Sequence, residues 1–171
     1  MTYAFPKSSE LYRVFPFVEP PPVLRGPDLT RTAHHEAGHV VLMEWAGLTP
    51  TKAHATEREG AAEWNLEEIT TEPDQAGDDT PLAAAHAAAV FHAGIAAELI
   101  HVGHRWQGVT ARMRSSDWAH ARLILSRHVG HSLAGHGYAQ RVALAVLTKR
   151  WPRVQEIAAE LTERGTWSPE Q

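Results

Sequence analysis

Residues 35–39 read His-Glu-Ala-Gly-His, and a histidine pair at that spacing, with a glutamate after the first, asks for a helix. On a helix, His35 and His39 stand one turn apart and point the same way, so both imidazoles can grip one metal ion. Glu36 lies beside that face, where a carboxylate can deprotonate a water that the metal activates. The combination is that of a zinc hydrolase, usually a peptidase. In a chain with 12 histidines the five letters can arise by chance, so their surroundings must carry the reading.

Those surroundings favour a helix. Asp28 or Thr30 can cap its start, and no proline interrupts Thr30 to Trp45. Ala33, Ala37, Val40 and Val41 recur at spacings of three and four, and Gly47 follows as a stop. Burying two histidines and a glutamate without partners costs about 1–3 kcal/mol for each group, and a metal held by both rings removes that cost. Two nitrogens do not hold zinc, however; a catalytic ion takes three protein ligands and keeps a position for water. An HExxHxxGxxH arrangement fails, because Leu42 and Trp45 stand where its glycine and third histidine belong. Glu57, Glu59, Glu63, Glu67 and Glu68 fall in a stretch of short strands and turns, which suits a ligand poorly. Asp117, after Ser115 and Ser116, opens a further helix; an aspartate there is either a capping residue that favours the helix dipole or the missing ligand.

Four segments, in order, resemble the peptidase domain of the FtsH family of zinc metallopeptidases, from about residue 30 to the C-terminus. Thr32 to His39 resembles the family's AxHEAGH helix, and Ala93 to Ile100 its GGRxAEEL segment. Val109-Thr110 through Ser116-Asp117-Trp118, then Ala121, resembles its TTGAxxDLxxAT stretch, and Val142 to Leu161 its closing helical hairpin. The resemblance implies a mainly α (α+β), zincin-like domain with a small β-hairpin or sheet. It implies one Zn2+ per chain, with His35, His39 and Asp117 as ligands and Glu36 as the base. There are departures: Ile95 replaces the arginine, Leu99 the second glutamate, and the glycine before the ligand is missing. Family members carry a membrane segment and an ATPase module ahead of the peptidase domain. The 29 residues ahead of the zinc helix contain neither a GxxxxGK[ST] loop nor an apolar run near 18 residues, so a peptidase without its own ATPase motor is expected.

The organisation expected is an arm, residues 1–29, followed by one domain, residues 30–171. The arm interleaves prolines, including Pro20-Pro21-Pro22, with Tyr3, Phe5, Tyr12, Phe15 and Phe17; it is either a loose tail or a segment whose aromatics dock. Beyond Gly47, residues 51–71 read as short strands with a hairpin turn at Gly60. An edge near Ala61 to Leu66 would bind substrate as an added strand. Glu72 to Asp79 reads as a solvated acidic loop. Thr80-Pro81 opens an alanine-rich helix, Ala83 to Val102, apolar enough to be packed on most sides. A glutamate inside it needs a partner and a ligand histidine needs an acceptor for its far N–H, so Glu98 is assigned to that role. His86, His92, His101 and His104 read as packed or surface residues, with His101 and His104 in reserve as ligands. Further helices are expected over Asp117–Val129, Tyr138–Arg150 and Pro152–Arg164, the last closed by Gly165.

A 43% hydrophobic and 21% charged composition is that of a globular protein, and the absence of cysteine excludes disulfides and thiolate zinc sites. A net charge of −4 without a clustered basic face argues against nucleic acid, and no signal or lipidation motif is evident, so a cytoplasmic protein with no membrane partner is expected. The expected activity is a soluble, ATP-independent zinc metalloendopeptidase acting on unfolded protein or peptide. The alternative is a zinc-binding interaction module of the same fold that lacks proteolytic activity or works with a separate ATPase partner. The resemblance leaves room for a homo-oligomer.

Overall fold

The helix asked for by the histidine pair is α1, Leu29–Trp45, in a computed structural model that describes residues 2–65, 80–130 and 133–170. Asp28 is its cap: the carboxylate accepts from the Arg31 N–H at 3.0 Å. From Arg31 to Met43 every residue except His34 is buried, so α1 is a central helix rather than one with a single apolar stripe. It packs against α2 (Thr80–His101), α5 (Trp151–Arg164) and a small sheet.

Helix α2 is likewise enclosed, lying against α1, α3 (Ser115–His128) and α4 (His136–Lys149). By length and hydropathy it could cross a membrane, but 72% of its apolar window is buried against the rest of this protein. Small residues let it approach α1 closely. A Cβ on Gly38 would lie 2.7 Å from both the Ala93 carbonyl oxygen and the Ala97 Cβ, so the two backbones nearly touch where they cross. That contact brings the His35–His39 turn of α1 against Glu98 on α2.

The sheet has the order β3-β2-β5, all neighbours antiparallel: β2 is Pro50–Ala55, β3 Gly60–Trp64 and β5 Thr166–Trp167. The hairpin turn falls at residues 56–59, not at Gly60. The Thr56 hydroxyl accepts from the Glu59 N–H and the Thr56 N–H donates to the Glu59 carbonyl, closing the turn before Gly60, which pairs with Ala55 in the ladder. Among the described residues β3 is an edge strand. Leu66, Glu67, Glu68 and the acidic loop Glu72 to Asp79 lie outside the described residues.

The arm is docked. Leu11 and Phe15 are buried, the Tyr3 hydroxyl bridges the His104 carbonyl and the Trp106 N–H, and Glu10 pairs with Arg141 at 2.8 Å. Its strand β1, Phe17–Val18, runs parallel to β4, Thr110–Ala111, just ahead of α3. Helix α3 starts at Ser115 with Arg114 at the cap and no side-chain capping bond, so neither serine caps it. The closing hairpin is α4 and α5; Val154, Ile157, Ala158 and Leu161 form the buried face of α5, and Gly165 ends it with φ of 73°. The molecule is mainly helical, with two small sheets among the described residues, an α+β architecture.

Candidate metal centre

The Nε2 atoms of His35 and His39 are 3.1 Å apart, and Asp117 Oδ2 lies 3.2 Å from the first and 3.5 Å from the second. A tetrahedral zinc ion with bonds of about 2.0–2.1 Å holds neighbouring donors about 3.3 Å apart. The three distances fit that geometry. Among the described residues this is the one group of His, Asp or Glu close enough to share a metal.

The far nitrogens fix how the rings present themselves. His35 Nδ1 donates to Glu98 Oε1 at 2.6 Å, and His39 Nδ1 donates to the Val90 carbonyl at 2.7 Å. Carboxylate and carbonyl oxygens only accept, so both Nδ1 atoms carry a proton and each ring, when neutral, turns an Nε2 lone pair inward. Two lone pairs and a carboxylate then converge with no donor among them, an arrangement that a cation completes. In its absence the site recruits protons. Burial opposes a charged His35, yet hydrogen bonds to Asp117 and Glu98 and the charge of Glu36 push its pKa up to about 9. Burial also opposes a charged His39, but Asp117 beside it raises that pKa too. Burial works against ionisation of Asp117 as well; the His39 and His35 charges overcome it and hold the carboxyl well below the usual carboxylate range.

Glu98 is itself held. Arg31 Nε lies 3.2 Å from its Oε2 as an ion pair whose N–H is not aligned for a hydrogen bond, while the guanidinium donates to the Val23 and Gly26 carbonyls. Arg31 precedes His35 by one turn of α1, so this partnership had a signal in the spacing that the reading of the sequence missed. Two glycines clear the space. A Cβ on Gly94 would lie 2.2 Å from His35 Nε2, and one on Gly60 would lie 2.6 Å from Glu36 Cγ. Gly60 therefore admits the buried Glu36 carboxylate beside β3.

His35, Glu36, His39 and Asp117 line one open cavity of about 280 Å3 together with Gly60, Ala61, Ala62 and Trp64 of β3. Met43, Val90 and Phe91 supply apolar wall, and Arg114, Ser116 and His120 form the α3 side. Arg114 and His120 were not singled out from the sequence. Arg114 is half-exposed, its Nη2 3.7 Å from Glu98 Oε1. His120 donates from Nδ1 to the Ser116 carbonyl at 2.8 Å and stacks on Phe91 with centroids 5.0 Å apart.

The reserve histidines are placed elsewhere. His101 stacks on His34, His104 sits beside Trp106, and His86 packs among Phe5, Trp45 and Tyr138. His92 is fully buried against His136 and Gln140. Glu57, Glu59 and Glu63 do not join the cluster, and Glu63 pairs with Lys52 at 3.4 Å. Comparison with known proteins matches this chain to no family model and to no curated protein. The resemblance in its motifs therefore rests on the residues quoted above.

Proposed function

We propose that this chain is a zinc-dependent metallopeptidase with a zincin-like, FtsH-type peptidase domain, acting on unfolded protein or peptide without an ATPase motor of its own. The observation that carries the reading is the set of three donors 3.1–3.5 Å apart, both histidines turned inward by pinned Nδ1 protons, with Glu36 in the same cavity. A structural site has no use for an acidic side chain beside an open cavity; a hydrolytic one does.

When bound, the ion supplies a Lewis acid that acidifies water and polarises the scissile carbonyl. Glu36 takes the water's proton and passes it to the leaving amine. Glu98 keeps His35 in the tautomer that offers Nε2, and the Val90 carbonyl does the same for His39. Arg114, a permanent cation lining the cavity, stabilises charge on the carbonyl oxygen as the tetrahedral state forms. Substrate lies extended along the edge of β3 that is unpaired among the described residues, where main-chain hydrogen bonds hold any sequence.

The test is metal analysis of the purified protein followed by hydrolysis of an unfolded protein such as denatured casein. About one zinc per chain and cleavage that a chelator abolishes and zinc restores are expected. Zinc retention without cleavage of any unfolded substrate would leave the interaction-module alternative in its place.

A further inference from the structure

Two of the three metal donors share one turn of α1, so their spacing is set by the helix itself. The third, Asp117, comes from α3, which packs chiefly on α2 and whose buried residues, Ala121 and Leu125, both lie beyond the ligand. The chain leading into it is gripped on both sides. On one edge of β4, the Pro16 carbonyl accepts from the Thr110 N–H at 2.8 Å and the Val18 carbonyl accepts from the Arg112 N–H at 3.0 Å. On the other, Gln140 binds both polar groups of Ala111: Oε1 accepts its N–H at 2.7 Å and Nε2 donates to its carbonyl at 3.0 Å. Beyond Asp117, Trp118 stacks on His136 at 4.3 Å between centroids, and Phe17 meets the edges of both rings, at 5.2 Å from Trp118 and 5.8 Å from His136. His136 is steadied in turn by His92 at 3.3 Å.

Phe17 belongs to the same two-residue strand whose backbone grips β4. One short segment of the arm thus contacts the chain both before and immediately after the ligand. The arm is tied down upstream of it by the Leu11 carbonyl, which accepts from the Gly135 N–H at 3.1 Å, and by Glu10 on Arg141. We propose that Phe17 is a positioning residue for the metal: through Trp118 and β4 it holds Asp117 at the distance from the histidine pair that zinc requires, so that the N-terminal arm sets metal affinity. This rests on the reading of His35, His39 and Asp117 as a metal site. It gives the arm a role in the chemistry of a cavity whose walls contain none of its residues.

The experiment is a double-mutant cycle read as zinc affinity, by competition with a fluorescent chelator, in full-length wild type, Phe17→Ala, Asp117→Ala and the double variant. Phe17→Leu, which keeps apolar volume beneath Trp118, covers the case in which the alanine variant does not fold. Supporting residues behind metal ligands are typically worth about 10- to 100-fold in affinity. Phe17→Ala is expected to weaken zinc at least tenfold and Phe17→Leu by less, whereas in the Asp117→Ala background the Phe17 change adds nothing. Wild-type affinity in either single Phe17 variant overturns the proposal. So does an equal loss with and without Asp117, which would mean that Phe17 acts on the fold alone. The underlying metal-site reading fails separately, and takes the proposal with it, if wild type and Asp117→Ala bind zinc alike.

Discussion

Glu36 is a buried acid whose neighbours across the cavity are a carboxylate and two histidines, and Gly60, the first residue of β3, leaves the space that admits it. In the proposed reading Glu36 acts on a proton rather than on the metal, because it is not one of the three donors that share the site. Glu36→Gln is therefore expected to bind zinc within about threefold of wild type while losing about 10²- to 10⁴-fold in kcat, the usual range for general acid–base assistance. Metal content and steady-state hydrolysis measured on the same preparation check this, and wild-type turnover in verified Glu36→Gln protein excludes the base. His39→Ala is expected to lose both zinc and activity, since it removes half of the histidine pair that grips the ion. At this scale the sequence was most legible where the contacts are local. His35, Glu36 and His39 sit within five residues, and helical periodicity alone puts them together. Glu98 could be assigned because a buried acid and a ligand histidine each need the other. Asp117 could not be chosen over a capping role by spacing, because 82 positions separate it from His35 and only the tertiary fold shows that its carboxylate is spent on the histidines. Arg114 and His120 carry no local mark at all; a cation and a histidine at the start of a helix look like solvated residues until a cavity wall is seen behind them.

Helix boundaries follow the residues that cap and terminate them, which is why α4 and α5 lie within two residues of the spans read from periodicity. What periodicity cannot give is how closely two helices cross. The meeting of α1 and α2 depends on side chains that are absent, Gly38 against Ala93 and Gly94 against the His35 ring. Gly94→Ala is a single methyl group on the exterior of neither helix, and helix propensity favours it by about 1 kcal/mol. Its Cβ would nonetheless fall 2.2 Å from His35 Nε2, so the imidazole must leave the position that matches Asp117 and His39. The expected outcome is a folded variant with helical circular dichroism like that of wild type and zinc affinity at least tenfold lower. Unchanged zinc affinity would show that the ligand ring is not held at the crossing. The arm illustrates the opposite limit. Its prolines and aromatics left a loose tail and a docked segment equally open, because its partners, Thr110, Trp118 and Arg141, lie far along the chain and are created only when α3 and α4 assemble.

For the molecule as a whole, the negative charge of this buried region that Arg31 does not meet must be compensated either by metal or by protons, and the two compete. In the metal-free protein His35 has its pKa raised from the ordinary 6.5 to about 9. A raised folded-state value contributes stability that is complete below 6.5 and is lost as pH rises through about 9. Zinc needs that nitrogen unprotonated, so its affinity moves the other way and climbs over the same interval. Metal-free stability should accordingly fall between pH 6.5 and 9 while the stabilisation by zinc grows. At a free zinc concentration of about 100 times Kd, binding to the folded state alone adds about 2.7 kcal/mol. For a chain of this size each kcal/mol shifts Tm by about 2–4 °C, so a rise of about 5–10 °C is expected. Thermal unfolding with and without zinc across that pH range provides the measurement. The zinc-induced rise should be larger at the alkaline end and, at the same free zinc, smaller in Asp117→Ala at every pH. A rise that is the same at both ends would mean that no proton is displaced from His35, and the inward-facing histidine pair would then not be the place where the ion binds.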